Sequence, residues 1–188
     1  MQELEFPDDN SARTLDRSTK IVTKVPTTLR VTPAGQTIAL IAWVSLCFLT
    51  AWVGSRFTPG ESYLQLQKPS WTPPGYLFGP VWSILYLCMG VAAWLVWRRA
   101  GFTGARLALT LFVVQLVLNG MWSWIFFGMQ RPGLAFAEIL ILWGMILATL
   151  LTFWRVSTAA GILFLPYLAW VSFAAVLNYA IWQLNKSN

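Results

Sequence analysis

The sequence lacks histidine altogether and has only two cysteines among its 188 residues. The absence of histidine removes imidazole as a general base, as a metal ligand and as an axial ligand to haem iron. It also excludes the Ser–His–Asp and Cys–His arrangements of nucleophilic enzymes. Cys47 and Cys88 each lie inside an apolar run, which is typical of buried free thiols rather than of a disulfide framework or a zinc site. We therefore predict no metal site and no required cofactor.

Charged residues are also scarce, at 11% of the chain, whereas hydrophobic residues make up 57%. Ordinary soluble domains contain about 25% charged and about 45–50% apolar residues. This composition argues against a soluble globular domain and against a disordered chain. Membrane topology and attraction to anionic lipids explain the net charge of +6, so we predict no nucleic-acid partner.

The apolar residues form five runs, each long enough for the roughly 20 residues that a bilayer crossing takes. These runs cover residues 36–55, 78–97, 107–128, 134–154 and 161–184. A membrane β-barrel would show alternating segments of about ten residues, whereas these runs are longer and continuous. We predict an all-α integral membrane bundle of five transmembrane helices within residues 36–185. Residues 1–35 show no apolar period and are predicted to be a mobile tail.

The distribution of lysine and arginine predicts the orientation of the bundle, because five helices place the two termini on opposite sides of the membrane. The N-terminal side holds nine cations, namely Arg13, Arg17, Lys20, Lys24, Arg30, Arg98, Arg99, Arg106 and Arg155. The other side holds four, namely Arg56, Lys68, Arg131 and Lys186. By the positive-inside rule, the N-terminus is cytoplasmic in a bacterial inner membrane. An organelle membrane is the alternative.

The segment at residues 56–77 is the longest connection between two runs. Its four prolines, at positions 59, 69, 73 and 74, forbid a continuous helix, although a helical turn fits residues 62–67. Because long loops in compact folds are often lids or binding loops, we predict a lid that folds back over a pocket. The alternative is a plain connector.

Three of the predicted helices carry aromatic and amide side chains along one face at helical spacing. The three sets are Trp82, Tyr86, Ala93 and Trp97; Gln115, Asn119, Trp122 and Phe126; and Tyr167, Trp170, Ala174, Leu177 and Asn178. Amides in lipid need partners, so these faces are predicted to point inward. Together they suit a flat, apolar ligand with polar edges. The alternative is that the amides only bind helices together and the tryptophans anchor the membrane interface.

Glu138 is the only acidic residue inside an apolar run. An intramembrane carboxylate indicates a functional site by default, such as a proton-coupled one. The alternative is that it reaches water, because it lies about one turn from the start of its helix. Gly144 and Ala148, on the same helix, form a small-xxx-small pair that predicts close packing. In the last helix, Pro166 is predicted to cause a kink and to free a carbonyl group.

Several ordered motifs resemble the translocator protein family, also known as the TspO or tryptophan-rich sensory protein family. They are KPSWTPP at 68–74, FGPVW at 78–82, QLVLN at 115–119, FFG at 126–128, PYLAW at 166–170 and LN at 177–178. The resemblance covers about residues 36–185. It implies a five-helix bundle, usually a homodimer, with one pocket under the first loop. It also implies binding of porphyrins, such as haem and protoporphyrin IX, and of sterols or other isoprenoid lipids.

The resemblance further implies which residues bind the ligand. Carried over by motif, the ligand-binding set is Tyr63, Trp82, Asn119, Trp122, Trp170, Ala174, Leu177 and Asn178. Supporting contacts are implied for Trp71, Pro73, Tyr86, Phe126 and Tyr167, to which the amide face described above adds Gln115. Trp82 and Trp170 match the residues implicated where family members degrade protoporphyrin in light.

Two departures from the family pattern narrow the choice of ligand. Gln183 stands where animal members have an arginine in the cholesterol motif that follows Tyr179, which argues against high-affinity cholesterol binding. Without histidine, haem is expected to bind through its ring or through a weaker Tyr, Met or Cys ligand.

We therefore predict a membrane receptor or sensor for tetrapyrroles and for isoprenoid or sterol-like lipids. One alternative is light-dependent degradation of protoporphyrin IX, which would make the chain an enzyme; we favour binding. The other is transport of porphyrins or lipids. The absence of interrupted helices and inverted repeats argues against a transporter of the usual kind.

Overall fold

The computed structural model of this chain describes residues 32–57 and 60–186. Helix α1 spans Pro33–Gly54, the short helix α2 spans Glu61–Gln65, and a 3₁₀ turn covers Gly75–Leu77. The helices that follow are α3 (Phe78–Gly104), α4 (Arg106–Ser123, extended by a π-helical turn at Trp124–Gly128), α5 (Pro132–Val156) and α6 (Thr158–Leu184). The predicted tail lies, up to residue 31, outside the described residues.

Five helices, α1, α3, α4, α5 and α6, are long and apolar enough to cross a membrane, which confirms the predicted all-α bundle. α6 packs along α5 and α3, α4 packs along α5, and α1 lies against α3 and α4. α1 is buried least of the five, because only one of its sides meets other helices. Cys47 is its single fully covered residue.

The centre of the bundle is aromatic. Phe112 of α4, Phe153 of α5 and Phe164 of α6 are fully buried, and their ring centroids lie between 5.2 and 6.2 Å apart. α1 approaches α3 closely because α3 has a glycine at position 90. A Cβ atom at Gly90 would lie 2.7 Å from the Cα atom of Val44, so a larger residue there would force α1 away from the bundle.

The end of α3 differs from the prediction, because helical residues continue past Arg98 and Arg99 to Gly104, with a break at Gly101. A charged residue does not have to end a membrane helix. Arginine is a good helix former, and its long side chain reaches the membrane interface. Gly101 interrupts the helical geometry with a φ of 65°, which glycine adopts without steric cost. The Arg99 guanidinium donates to the Val156 carbonyl oxygen (3.1 Å) and joins the ends of α3 and α5.

The last two helices begin earlier than the apolar runs predicted. α5 begins at Pro132, where proline suits the first helical turn. α6 begins at Thr158, because the Ser157 hydroxyl caps it by accepting a hydrogen bond from the Ala160 amide. α6 then continues as one helix across Pro166.

The predicted close packing at Gly144 is wrong for contacts within the described part of this chain. A Cβ atom at Gly144 would meet nothing within 4 Å, whereas one at Gly161 would lie 2.4 Å from the Trp154 ring. Near the α5–α6 turn, the missing side chain at Gly161 rather than at Gly144 lets these two helices meet. Gly144 and Ala148 are both partly buried.

Candidate ligand-binding site

A chain of buried hydrogen bonds links α3, α4 and α6. The Tyr86 hydroxyl donates to Asn119 Oδ1, and Asn119 Nδ2 donates to the Tyr167 hydroxyl oxygen (3.1 Å). The Tyr167 hydroxyl in turn donates to Gln115 Oε1 (2.9 Å). All four side chains are buried, which confirms that the amide face of α4 points inward. In apolar surroundings polar groups are stable only when hydrogen-bonded, so this chain holds the three helices in one arrangement.

Trp82 covers one side of this hydrogen-bonded chain. Its ring centroid lies 5.3 Å from that of Tyr86 and 6.1 Å from that of Tyr167. Trp82 itself is only partly buried, so part of its indole is open to a ligand or to lipid. An aromatic surface therefore lies directly against buried amides.

A second polar group connects α4, α5 and α6 near the start of α5. Trp122 Nε1 donates to Asn178 Oδ1 (3.1 Å), and Asn178 Nδ2 donates to the Pro132 carbonyl oxygen (2.8 Å). The Trp122 indole stacks on Phe126 with centroids 5.0 Å apart. Leu177 is buried in a small apolar cluster with Phe126, against which Trp122 packs. Asn178 therefore uses both ends of its amide to hold Trp122 and the start of α5 on α6.

Trp170 and Ala174 lie on a more open part of α6. Both are partly buried and pack against the main core. The Trp170 ring lies 5.8 Å from Phe78 and 5.7 Å from Phe173. Trp71 of the first loop meets the same Phe173 edge-on at 5.9 Å. The first loop, in which Pro73 is half-buried, thus reaches the face of α6 that carries Trp170.

The short helix α2 covers the end of α4. Tyr63 packs edge-on against Phe126 (6.1 Å) and Phe127 (5.4 Å), and burial raises the pKa of its phenol. A cavity of about 190 Å³ lies beneath, lined by Gly60, Tyr63, Leu66, Phe126, Phe127, Gln130 and Pro132. Of the predicted site residues, only Tyr63 and Phe126 line this cavity. The other predicted residues lie deeper in the bundle or along α6.

Two polar side chains hold the loop in place. The Lys68 ammonium donates to the carbonyl oxygens of Leu64 (3.3 Å) and Leu66 (3.2 Å) and lies 4.5 Å from the Tyr63 ring centroid. Asn185, just after α6, pairs with the backbone of Gln67. The first loop is therefore held to the end of α6 at Gln67, and its Trp71 packs against Phe173 of the same helix.

Two buried polar groups have no hydrogen-bond partner among the described residues. Glu138 is 6% exposed, and neither of its carboxyl oxygens is paired. Gln115 Nε2 is unpaired as well, although Gln115 Oε1 accepts from Tyr167. The alternative that Glu138 reaches water, because it lies near the start of α5, is therefore wrong: the side chain is buried. The described residues contain no cluster of three or more His, Cys, Asp or Glu side chains.

The chain matches the model of the TspO/MBR family over residues 43–183. It belongs to that family. It is 44% identical over 157 residues to the tryptophan-rich protein TspO of Chlorobaculum tepidum, covering 80% of this chain and 98% of that protein. It is 45% identical over 142 residues to the translocator protein of Homo sapiens (73% and 84%). It is 37% identical over 145 residues to the tryptophan-rich sensory protein of Cereibacter sphaeroides (77% and 90%).

As a TspO/MBR protein with five apolar helices, the chain is an integral multi-pass membrane protein. Its relatives carry the names of translocators and sensory proteins, and a role as a membrane sensor or transporter follows from the family. The residue-level assignment of the ligand site stays a prediction.

Three residues of this TspO/MBR chain that contact the first loop were not predicted from the sequence. Phe127 and Phe173 pack against Tyr63 and Trp71, and each neighbours a predicted site residue on its helix, so adjacency was an available signal. Asn185 follows the last apolar residue of α6, where a polar residue is ordinary. Only the fold of the first loop reveals its role.

Proposed function

We propose that this chain is a membrane receptor or sensor for tetrapyrroles, such as protoporphyrin IX and haem, and for isoprenoid or sterol-like lipids. The observation that carries the proposal is the pairing of partly open indoles with buried amides. The Trp82 ring packs on Tyr86, whose hydroxyl donates a hydrogen bond to Asn119, and the Trp122 indole donates a hydrogen bond to Asn178. Indole faces suit a flat apolar ring, and amides suit its polar edges. Family membership supports the same ligand class.

Cations at the loop end of the bundle support an acidic ligand. Arg56 lies 4.5 Å from the Trp52 ring centroid, Lys68 lies 4.5 Å from that of Tyr63, and Lys186 lies 4.1 Å from that of Trp182. A cation over an exposed ring is held by only about 0.5–1 kcal/mol. Arg56, over the exposed Trp52 ring, is therefore able to turn towards the propionate groups of a porphyrin, whereas Lys68 is held by the carbonyl oxygens of Leu64 and Leu66.

The size of the cavity implies that the loop moves when a large ligand binds. Drug-sized ligands occupy pockets of roughly 300–1,000 Å³, and the cavity under Tyr63 has about 190 Å³. A porphyrin therefore needs the first loop to lift or the aromatic side chains to rotate. The cavity under Tyr63 is therefore proposed to widen when the ligand binds.

A titration in darkness tests the receptor proposal. Purified protein in lipid nanodiscs is titrated with protoporphyrin IX while tryptophan fluorescence is recorded. Saturable quenching is expected, with weaker binding in Trp82→Phe and Asn119→Leu. Trp154→Phe is the matched control, because Trp154 is exposed next to the α5–α6 turn. The absence of saturable quenching in the wild type would refute the proposal.

Light-dependent breakdown of protoporphyrin IX is the second candidate function. It is favoured by the ring contacts of Trp82, which lies next to the phenol rings of Tyr86 and Tyr167, since indoles and phenols are the electron-donating side chains. The dark titration is repeated under illumination. Loss of the porphyrin absorption band with formation of a new product, abolished in Trp82→Phe and Trp170→Phe, supports this activity. An unchanged spectrum under light rejects it.

Transport of porphyrins or lipids is tested by flux into proteoliposomes. Glu138→Gln serves as the diagnostic variant, because Glu138 is the buried carboxyl without a described partner. Flux that depends on a proton gradient in the wild type and not in Glu138→Gln supports proton-coupled transport. Binding without flux leaves the chain a receptor.

The proposed receptor is a homodimer in a bacterial inner membrane, with its N-terminus in the cytoplasm. The nine-to-four distribution of lysine and arginine supports this orientation, and family resemblance supports the dimer. Protease access to an N-terminal tag in spheroplasts and in inverted vesicles distinguishes the two orientations. Light scattering of the detergent-solubilised protein gives the number of subunits.

A further inference from the structure

Asn185, a partly buried residue just after α6, uses both its amide oxygen and its amide nitrogen in hydrogen bonds. Its Oδ1 accepts from the Gln67 amide (3.0 Å), and its Nδ2 donates to the Gln67 carbonyl oxygen (3.0 Å). Nδ2 also donates to the Ile181 carbonyl oxygen in the last turn of α6 (2.7 Å). Asn185 and Gln67 are 118 positions apart in the chain. One side chain thus ties the middle of the first loop to the end of the last helix.

The chemistry of this contact requires a carboxamide. Gln67 lies beyond α2, which ends at Gln65, and Leu66 is already extended with a ψ of 135°. The amide and carbonyl of Gln67 therefore lie outside the helix and pair with the Asn185 side chain instead. A carboxamide offers a donor and an acceptor side by side and pairs with both groups of one residue. A carboxylate has no donor, and a hydroxyl cannot reach both groups at once.

Gln67 lies next to the wall of the loop cavity. Leu66 precedes it and lines that cavity together with Tyr63. On the other side, Lys68 bonds back to Leu64 and Leu66, so this part of the loop behaves as one compact unit. Fixing Gln67 therefore fixes the position of Tyr63 over Phe126 and Phe127.

We propose that Asn185 is a positioning residue that latches the first loop closed over the ligand site. This inference rests on the proposed function for its effect on ligands. The latch slows entry and exit of ligand alike, because the loop must release Gln67 before it lifts. Removing the latch therefore accelerates both association and dissociation and changes the equilibrium affinity little.

The first experiment needs no ligand. Amide hydrogen exchange is measured on the full chain in nanodiscs for wild type, Asn185→Ala, Asn185→Asp and Gln67→Ala. The Gln67 amide is expected to exchange about tenfold faster in Asn185→Ala. Asn185→Asp keeps the acceptor and loses the donor, so an intermediate rate is expected. Gln67→Ala is the matched control, because the latch uses only the backbone of residue 67. Unchanged exchange in Asn185→Ala would overturn the latch.

The second experiment measures stopped-flow quenching of tryptophan fluorescence by protoporphyrin IX in darkness. Association and dissociation rates are both expected to rise several-fold in Asn185→Ala and to stay at wild-type values in Gln67→Ala. Amide exchange at residues 178–182 of α6 checks that the helix end has not frayed. Faster loop exchange with unchanged ligand rates would overturn the positioning role. If the wild type binds no porphyrin, the proposed receptor function fails, and the exchange data alone decide whether the latch exists.

Discussion

Replacing Asn119 with leucine tests whether the buried hydrogen-bonded chain stabilises the bundle. Leucine is close to asparagine in size, so the change removes polar groups without leaving a large cavity. Two hydrogen bonds are lost, one from Tyr86 and one to Tyr167. The Tyr167 hydroxyl keeps its bond to Gln115 (2.9 Å). The Tyr86 hydroxyl is left buried without its acceptor.

The size of the effect follows from these losses. Side-chain hydrogen bonds between membrane helices contribute about 0.6 kcal/mol on average and about 1.7 kcal/mol at most. A buried donor without an acceptor costs about 1–3 kcal/mol. We therefore expect Asn119→Leu to lower the free energy of unfolding by about 2–3 kcal/mol. Adding Tyr86→Phe to this variant removes the stranded hydroxyl, so the double variant should regain about 1 kcal/mol.

The assay is reversible unfolding of the ligand-free protein in mixed detergent micelles, followed by far-ultraviolet circular dichroism. A double-mutant cycle over Asn119→Leu and Tyr86→Phe isolates the coupling between the two side chains. Val117→Leu on the exposed face of α4 is the control and should change little. A strictly additive cycle, or an Asn119→Leu variant as stable as the wild type, would refute the reasoning.

Three further predictions concern packing, titration and thiol access. Gly90→Ala should destabilise the protein by about 1–3 kcal/mol, because its Cβ would meet the backbone of α1, whereas Gly144→Ala, in open space, should be neutral or slightly stabilising in the same unfolding assay. Burial raises the pKa of the Tyr63 phenol above its usual 10.0, so the contribution of this phenol to the stability of the fold is complete below pH 10 and is lost as the pH rises through the raised pKa. The tyrosinate absorbance that is missing in Tyr63→Phe should therefore appear only above pH 10. Its appearance at or below pH 10 contradicts the packing. A membrane-permeable maleimide should label the partly exposed Cys88 and spare the buried Cys47 until the protein is unfolded, which mass spectrometry of the labelled peptides checks.

The helices and their inward faces follow from local physics. A run of about 20 apolar residues in lipid satisfies its backbone only as a helix, so the five helices could be placed from composition alone. The spacing of Gln115 and Asn119 indicated one inward face, because two amides cannot both face hydrocarbon. Their burial beside Tyr167 agrees with that reasoning.

Helix ends were harder to predict than helices. Arg98 and Arg99 did not mark the helix end, since helical residues continue past them to Gly104 with a break at Gly101. Ser157 and Pro132 are ordinary cap and first-turn residues. Their signals were present in the sequence, but the stronger apolar pattern favoured later starts for both helices.

By itself the sequence determined an all-helical membrane bundle, its aromatic and amide faces and its family, because each depends on residue type and spacing along one chain. Only the tertiary structure decided which polar groups pair. The bond from Trp122 to Asn178 and the latch from Asn185 to Gln67 join distant parts of the chain, and no local pattern encodes such distances. Only the tertiary structure shows that Glu138 is buried without a hydrogen-bond partner among the described residues, because helix packing, and not the neighbouring sequence, determines which side chains surround it.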